Sequence, residues 1–172
     1  MRFGKIAGKM LCKWVYNTKH DSNGNVRRRK ARLVAKGYAQ MQAIDYEKKF
    51  PPVAKMMRTL LAVSAIKGWF LHHMDVKDSF LHGNLEEEVY MCHSPAFEDK
   101  KHSKKICKLK KVLYGLNQAL RAWHKKISEF FIGFAFKMSM VDPSLYVKKM
   151  NDCIVVILIY GHDLIIGGDS MA

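Results

Sequence analysis

The closing segment "DCIVVILIYGHDLIIGGDS", residues 152–170, constrains the fold of this chain more than any other stretch. Seven apolar or aromatic residues, Ile154 to Tyr160, run into Gly161, His162 and Asp163, and Leu164 to Ile166 are apolar again. Two β-prone runs separated by turn residues read as a buried hairpin. The chain is therefore committed to a sheet, and the sheet carries an ionisable pair at its tip.

The rest of the sequence supplies the partners such a hairpin needs. "KWVYNTKHDSNGNVRRRKARLVAKGYAQ" reads as strand, turn, strand: Trp14 to Lys19 is β-prone, "DSNGN" tolerates positive φ, and Val26 to Tyr38 returns. Pro51 and Pro52 stop the preceding segment, and Met57, Leu60, Leu61, Ser64 and Ala65 then recur at helical spacing up to Gly68. "FLHHMDV" changes the period to two. Phe70, His72, Met74 and Val76 fall on one side of that strand, with Leu71, His73 and Asp75 on the other. "HGN" with "EEEVYM" predicts a further turn and strand, and "DKKHSKK" a charged loop. Ala119, Trp123, Ile127, Phe130, Phe131 and Phe134 mark a second amphipathic helix. "DPSLYVKK" is a strand entered through the Asp142-Pro143 turn. The order predicts an α+β fold, with a small, mainly antiparallel sheet and helices packed on one face.

At 172 residues and 49% hydrophobic, the chain is long enough for a core, and wholesale disorder is excluded. Its longest apolar run, Cys153 to Tyr160, falls far short of the roughly 20 residues that span a bilayer. No signal-peptide h-region precedes Trp14, so we expect an intracellular, cytoplasmic protein with no membrane partner. Cys12, Cys92, Cys107 and Cys153 form no C-x-x-C pair, which argues for a reducing compartment and against a structural zinc knuckle. The formal net charge is +15. Residues 1–50 carry 13 Lys and Arg against 3 Asp and Glu, and residues 101–150 carry 12 against 2. Two basic blocks of that size point to a polyanion as readily as to a solvated lysine-rich surface.

Asp75 at a strand end and Asp163 at a hairpin tip lie 88 positions apart, yet adjacent antiparallel strands would bring them together. Converging carboxylates are hard oxygen ligands for Mg²⁺, the arrangement that two-metal nucleotidyl transfer requires. The plainer reading is that Asp163 serves its turn. His72, His73 and His82 are read as core or surface residues, since adjacent histidines on a strand face opposite sides. Glu86, Glu87 and Glu88 read as a solvated turn and strand start, and Cys107 as a small buried residue with no base signalled nearby for nucleophilic work.

"KARLVAKGY", "MDVKDSFLHGNLEEEVYM", "YGLNQALRAW", "DPSLYVKK" and "ILIYGHDLIIGGD" resemble, in order and spacing, the reverse transcriptase of copia-type LTR retrotransposons. The resemblance covers residues 12–170, with residues 1–11 as an N-terminal extension. It implies a polymerase fingers-and-palm fold, RNA-directed DNA polymerase chemistry with Mg²⁺ or Mn²⁺, and an RNA template, a DNA primer and deoxynucleoside triphosphates as partners. Asp75 in "MDVK" corresponds to the first catalytic metal ligand and Asp163 to another. Phe80 occupies the aromatic position beneath the incoming sugar, where a ring excludes a ribose 2′-hydroxyl, although a plain core role is the bland alternative. Gln118 corresponds to the template- and nucleotide-contacting glutamine, with Asn117 where the family carries Lys. Lys30 and Arg32 are implied as triphosphate contacts on the fingers hairpin.

The hairpin tip departs from the family. Where relatives read Tyr-Val-Asp-Asp, this chain has Tyr160-Gly161-His162-Asp163, so His162 replaces one of three carboxylates. A neutral imidazole adds no charge and offers a nitrogen that Mg²⁺ favours less than oxygen. Gly161 adds backbone freedom at the turn. The chain stops two residues after "GGDS", so we also expect the thumb, connection and RNase H segments to be missing. Together these departures predict a copy that does not polymerise, with or without His162→Asp. Two other readings stay open: a non-catalytic basic module that binds nucleic acid, and a genomic relic without function.

Overall fold

The computed structural model describes residues 10–40, 54–94, 97, 106–151 and 153–169. Residues 1–9 of the expected extension, the Pro51-Pro52 stop and the charged stretch 99–105 lie outside them. In chain order the elements are β1 (Cys12–His20), β2 (Val26–Ala35), α1 (Ala54–Lys67), β3 (Phe70–Asp75), β4 (Tyr90–Met91), β5 (Cys107–Lys108), α2 (Ala119–Gly133), β6 (Lys137–Met138), β7 (Leu145–Met150), β8 (Cys153–Tyr160) and β9 (Asp163–Gly168). Short 3-10 turns occupy Gly37–Ala39 and Ser79–His82. The described residues fall into two compact units, one drawn from Met1–Lys49 and Asn84–Ala119, the other from Phe50–Gly83 and Leu120–Ala172. The α+β class expected from the sequence is what forms.

The first unit is built on the β1–β2 ribbon, which pairs antiparallel from Cys12 opposite Ala35 to His20 opposite Val26. Its turn is fixed by Asp21, whose Oδ1 accepts the Asn23 and Asn25 backbone N–H groups at 2.9 Å each. β2 stops at Ala35, short of the Tyr38 expected from propensity, because the chain then passes hard against a second backbone segment. A Cβ on Gly37 would overlap the Gly115 carbonyl, and one on Gly115 (φ +90°) would overlap the Ala35 carbonyl. Only glycine fits at either position. Gln40 and Asn117 fasten this crossing: the Gln40 Oε1 accepts the Asn117 backbone N–H at 2.9 Å, and the Asn117 Nδ2 donates to the Gly37 carbonyl at 2.8 Å. The β4–β5 pair completes the unit.

The second unit holds a five-stranded sheet in the order β3-β9-β8-β7-β6, with every neighbouring pair antiparallel. Side chains along a strand alternate in side, so the uninterrupted apolar run of β8 loads both faces. Ile157 and Ile159 pack with Leu164 and Tyr146 against Phe131 of α2. Val156 and Leu158 pack with Ile165 against Leu60 of α1. The two helices therefore cover opposite faces of the sheet. The expectation of helices on one face is corrected here, and the reason is the continuity of that run: alternating residues would have left one face polar.

Helix α1 buries a narrower stripe than its spacing suggested. Leu60 and Ser64 are buried, Met56 and Met57 pack beside them, and Leu61 and Ala65 stay exposed. The helix closes where the Trp69 N–H donates to the Ser64 carbonyl at 2.9 Å, the six-to-one bond of a Schellman cap. In α2 the seam is Ala119, Trp123, Ile127 and Phe131, four residues apart, buried except for the partly buried Ile127, whereas Phe130 and, just past the helix end, Phe134 are exposed. Leu158 and Tyr146 are wholly buried, and truncation of such a leucine costs about 2–5 kcal/mol. No helix among the described residues is long and apolar enough to cross a membrane.

Candidate metal centre

The β3–β9 ladder runs from Phe70 opposite Gly168 to Asp75 opposite Asp163. Register in such a ladder is set by the apolar pattern, since a slip of one residue would turn Leu164 and Ile165 onto the wrong faces. The same constraint delivers the two aspartates to one end of the sheet as a directly opposed pair. Beyond them the Val76 N–H donates to the His162 carbonyl at 3.2 Å, which ties the end of β3 to the hairpin tip.

The tip itself is a two-residue connection, Gly161-His162, between Tyr160 and Asp163. Gly161 takes φ +65°, a left-handed conformation that glycine adopts at least cost, so it meets a requirement of this turn rather than loosening it. His162 is then presented beside the aspartate pair. One ligating atom from each of Asp75, His162 and Asp163 lies within 4.8 Å of the others, with Asp75 and His162 exposed and Asp163 partly buried. Among the described residues this is the one group of three or more His, Cys, Asp and Glu side chains placed to share a cation.

A fourth residue belongs to the cluster. His73 Nε2 lies 3.2 Å from Asp163 Oδ1, while His162 Nε2 lies 3.9 Å from Asp163 Oδ2. The Asp163 carboxylate is thus flanked by an imidazole on each oxygen. Sequence reasoning set His73 aside because His72 beside it faces the other way, yet one histidine suffices. Its position two residues before Asp75 on the same strand, and so on the same face, was the available signal.

Phe80, in the 3-10 turn after β3, sets its ring edge-on to the His162 imidazole, with centroids 6.4 Å apart and planes at 69°. The second unit therefore gathers four of the sequence-predicted residues, Asp75, Asp163, His162 and Phe80. Lys30, Arg32 and Gln118 belong to the first unit. Lys30 stands opposite Asn17 and Arg32 opposite Val15, on the same side of the ribbon. The Arg32 guanidinium lies over the Tyr114 ring, 5.2 Å from its centroid, which fixes its direction. Gln118 is buried and its Oε1 accepts from Gln40 Nε2 at 3.0 Å, while its own Nε2 has no hydrogen-bond partner among the described residues.

Chemically, the centre offers two carboxylates and two imidazoles. Mg²⁺ asks for near-octahedral oxygen donors, and a set in which nitrogen stands where a third carboxylate is expected does not fit it. The four cysteines are free. Burial, followed by the nearness of Cys92 and Cys107, pushes the Cys12 thiol up, away from the thiolate that nucleophilic work needs.

Comparison with known proteins agrees with the motifs. Residues 6–172 match the family model described as reverse transcriptase (RNA-dependent DNA polymerase). The chain is 41% identical over 161 residues to the retrovirus-related Pol polyprotein from transposon RE1 of Arabidopsis thaliana, covering 92% of this chain and 11% of that protein. It is 39% identical over 161 residues to the corresponding polyprotein from transposon RE2 of the same plant, again with 92% and 11% covered. The polyprotein from transposon TNT 1-94 of Nicotiana tabacum is 41% identical over 164 residues, with 92% of this chain and 12% of the relative covered. The chain thus spans about a tenth of the length of these relatives. No solved structure matches it. A family match over nearly the whole sequence, together with these identities, makes the chain a member of the reverse transcriptase family carried by copia-type retrotransposon Pol polyproteins.

Proposed function

We propose that this chain is the fingers-and-palm part of an RNA-directed DNA polymerase whose catalytic metal centre has lost a carboxylate, so that it no longer performs templated nucleotidyl transfer. The observation that carries the reading is the opposed Asp75–Asp163 pair with His162 at its side. In this reading Asp75 and Asp163 are the inherited metal ligands. Phe80 is the sugar-facing ring, Gln118 the template and nucleotide contact, and Lys30 with Arg32 the triphosphate contacts. The ancestral partners are an RNA template, a DNA primer and deoxynucleoside triphosphates.

The loss follows from charge and donor type. Two Mg²⁺ ions activating a 3′-hydroxyl and neutralising a pyrophosphate need anionic oxygen around them. An imidazole in place of a carboxylate removes several kcal/mol of that stabilisation, on the order of a thousandfold or more in rate. The test is a chimaera in which residues 12–170 replace the matched segment of the tobacco relative, assayed for primer extension on an RNA template with Mg²⁺. The expected result is extension with His162→Asp and none with His162. Extension by the His162 form would overturn the claim of inactivity; silence in both forms would refute the assignment of His162 as the decisive loss.

A second reading is favoured by the β1–β2 ribbon. Lys13, Lys19, Arg28, Lys30 and Arg32 share one side of it through the pairs Lys13–Val34, Lys19–Arg28, Asn17–Lys30 and Val15–Arg32. Five cations on one face of a ribbon form a phosphate-contacting strip that needs no metal. Nucleic-acid binding therefore survives loss of catalysis.

A further inference from the structure

We infer that the Asp75, His162 and Asp163 cluster is a site selective for a borderline transition-metal ion of the Zn²⁺ class over Mg²⁺, with His73 as its positioning residue. The inference uses the residues named above but rests on their donor chemistry alone, not on the polymerase reading.

Three observations carry it. First, the donors are mixed: carboxylate oxygen from Asp75 and Asp163, imidazole nitrogen from His162. For a set containing nitrogen, affinity among divalent first-row ions rises toward copper and zinc, whereas Mg²⁺ gains nothing from imidazole. Second, the spacing suits a small coordination sphere. Metal–ligand bonds of about 2.0–2.2 Å put neighbouring tetrahedral ligands roughly 3.3–3.6 Å apart. The His162 Nε2 to Asp163 Oδ2 separation of 3.9 Å and the 4.8 Å limit for all three donors need only small side-chain rotations to reach that. Asp75 and His162 are exposed and Asp163 partly buried, so the side chains have room to turn, with the Phe80 ring as the contact that His162 shifts against.

Third, the cluster has its supporting partner. Ligating carboxylates and imidazoles are held in direction by outer hydrogen bonds, and these matter nearly as much as the ligands themselves. His73 Nε2 lies 3.2 Å from Asp163 Oδ1, close enough to steady that oxygen, whereas the oxygen nearest His162 Nε2 is Oδ2. Oδ2 is thereby left to the ion. Three protein ligands leave a fourth position for water, the composition of an open zinc site.

The experiment is calorimetric titration of the metal-free chain with Zn²⁺, Mn²⁺ and Mg²⁺, with Co²⁺ absorption as a second readout. The expected result is one tightly bound Zn²⁺ per chain, at least a hundredfold tighter than Mg²⁺, and a Co²⁺ spectrum without a thiolate charge-transfer band. His162→Ala should weaken Zn²⁺ binding at least tenfold, and His162→Asp should shift preference back toward Mg²⁺. His73→Phe should weaken Zn²⁺ binding about 10- to 100-fold, and His73→Gln, which keeps a donor N–H, should recover most of it. Equal affinity for Zn²⁺ and Mg²⁺, a thiolate band, or Zn²⁺ uptake untouched by His162→Ala would overturn the assignment. If a variant does not fold, Mg²⁺ competition and the Co²⁺ spectrum of the unaltered chain decide alone. No nucleotide chemistry is read, so a negative result leaves the polymerase reading intact, and an active chimaera leaves this one intact.

Discussion

Asp75 and Asp163 are the terminal cross-strand pair of the β3–β9 ladder, with their strands held together beyond that point by the Val76 N–H on the His162 carbonyl. Like charges directly opposite on neighbouring strands destabilise a sheet. In buffer with EDTA, Asp75→Asn should therefore raise the thermal midpoint slightly. Zn²⁺ should raise the midpoint of the unaltered chain and leave that of the variant nearly unmoved, since a ligand that binds only the native state stabilises it by mass action. A lower midpoint for Asp75→Asn without metal would show that the pair is not a site of repulsion.

Asn117 has a structural task in this chain. Its Nδ2 donates to the Gly37 carbonyl at the point where Gly37 and Gly115 cross. Asn117→Lys removes a short amide donor and should cost about 1–3 kcal/mol in urea unfolding, the penalty of an abandoned carbonyl. Gly37→Ala should cost more, because its Cβ meets the Gly115 carbonyl. If Asn117→Lys is neutral, the clasp contributes no stability.

What was legible in the sequence was periodic. The period of two in "FLHHMDV" placed Leu71, His73 and Asp75 on one face, and the polar tip after Tyr160 located the hairpin turn; both follow from local chain geometry. Helix α1 was less legible, because spacing gives the direction of an apolar stripe but not its width, and Leu61 stays in solvent. The clasp joining Gln40 and Asn117 across 77 positions left no local trace, since it depends on two glycines brought together by the fold. His73 is legible in part: its place two residues before Asp75 puts it on the same face, while its contact with Asp163 follows only from the β3–β9 register.

His124 supplies a pH dependence. Burial beside Ser128 and Tyr146 lowers its pKa below the ordinary 6.5, with the Pro143 carbonyl and the Asp142 charge pulling weakly the other way. The unfolded chain then takes up a proton near pH 6.5 that the folded chain refuses until lower pH. Stability from this group is full above 6.5, falls as pH drops below it, and stops falling at the folded pKa. Urea midpoints measured from pH 7.5 to 5 should decline, and His124→Gln should flatten that decline. An equally steep decline in the variant would assign the acid sensitivity to other groups.

The ribbon makes the most exposed prediction. Lys19, Arg28 and Lys30 stand on one side of β1–β2, while Arg29, paired with Thr18, stands on the other. If the strip formed by the first three neutralises phosphates, single-stranded RNA should bind without sequence preference and lose affinity steeply with salt, because contacts to phosphate carry no base information. Each contact adds about 0.7 to the slope of log affinity against log salt for a single strand. Replacing Lys19, Arg28 and Lys30 together by Ala should therefore flatten the slope by about 2, whereas Arg29→Ala should change it little. The comparison separates a directed face from a general excess of positive charge. Equal flattening per residue from both variants would mean that the +15 charge acts diffusely and that the ribbon has no binding side.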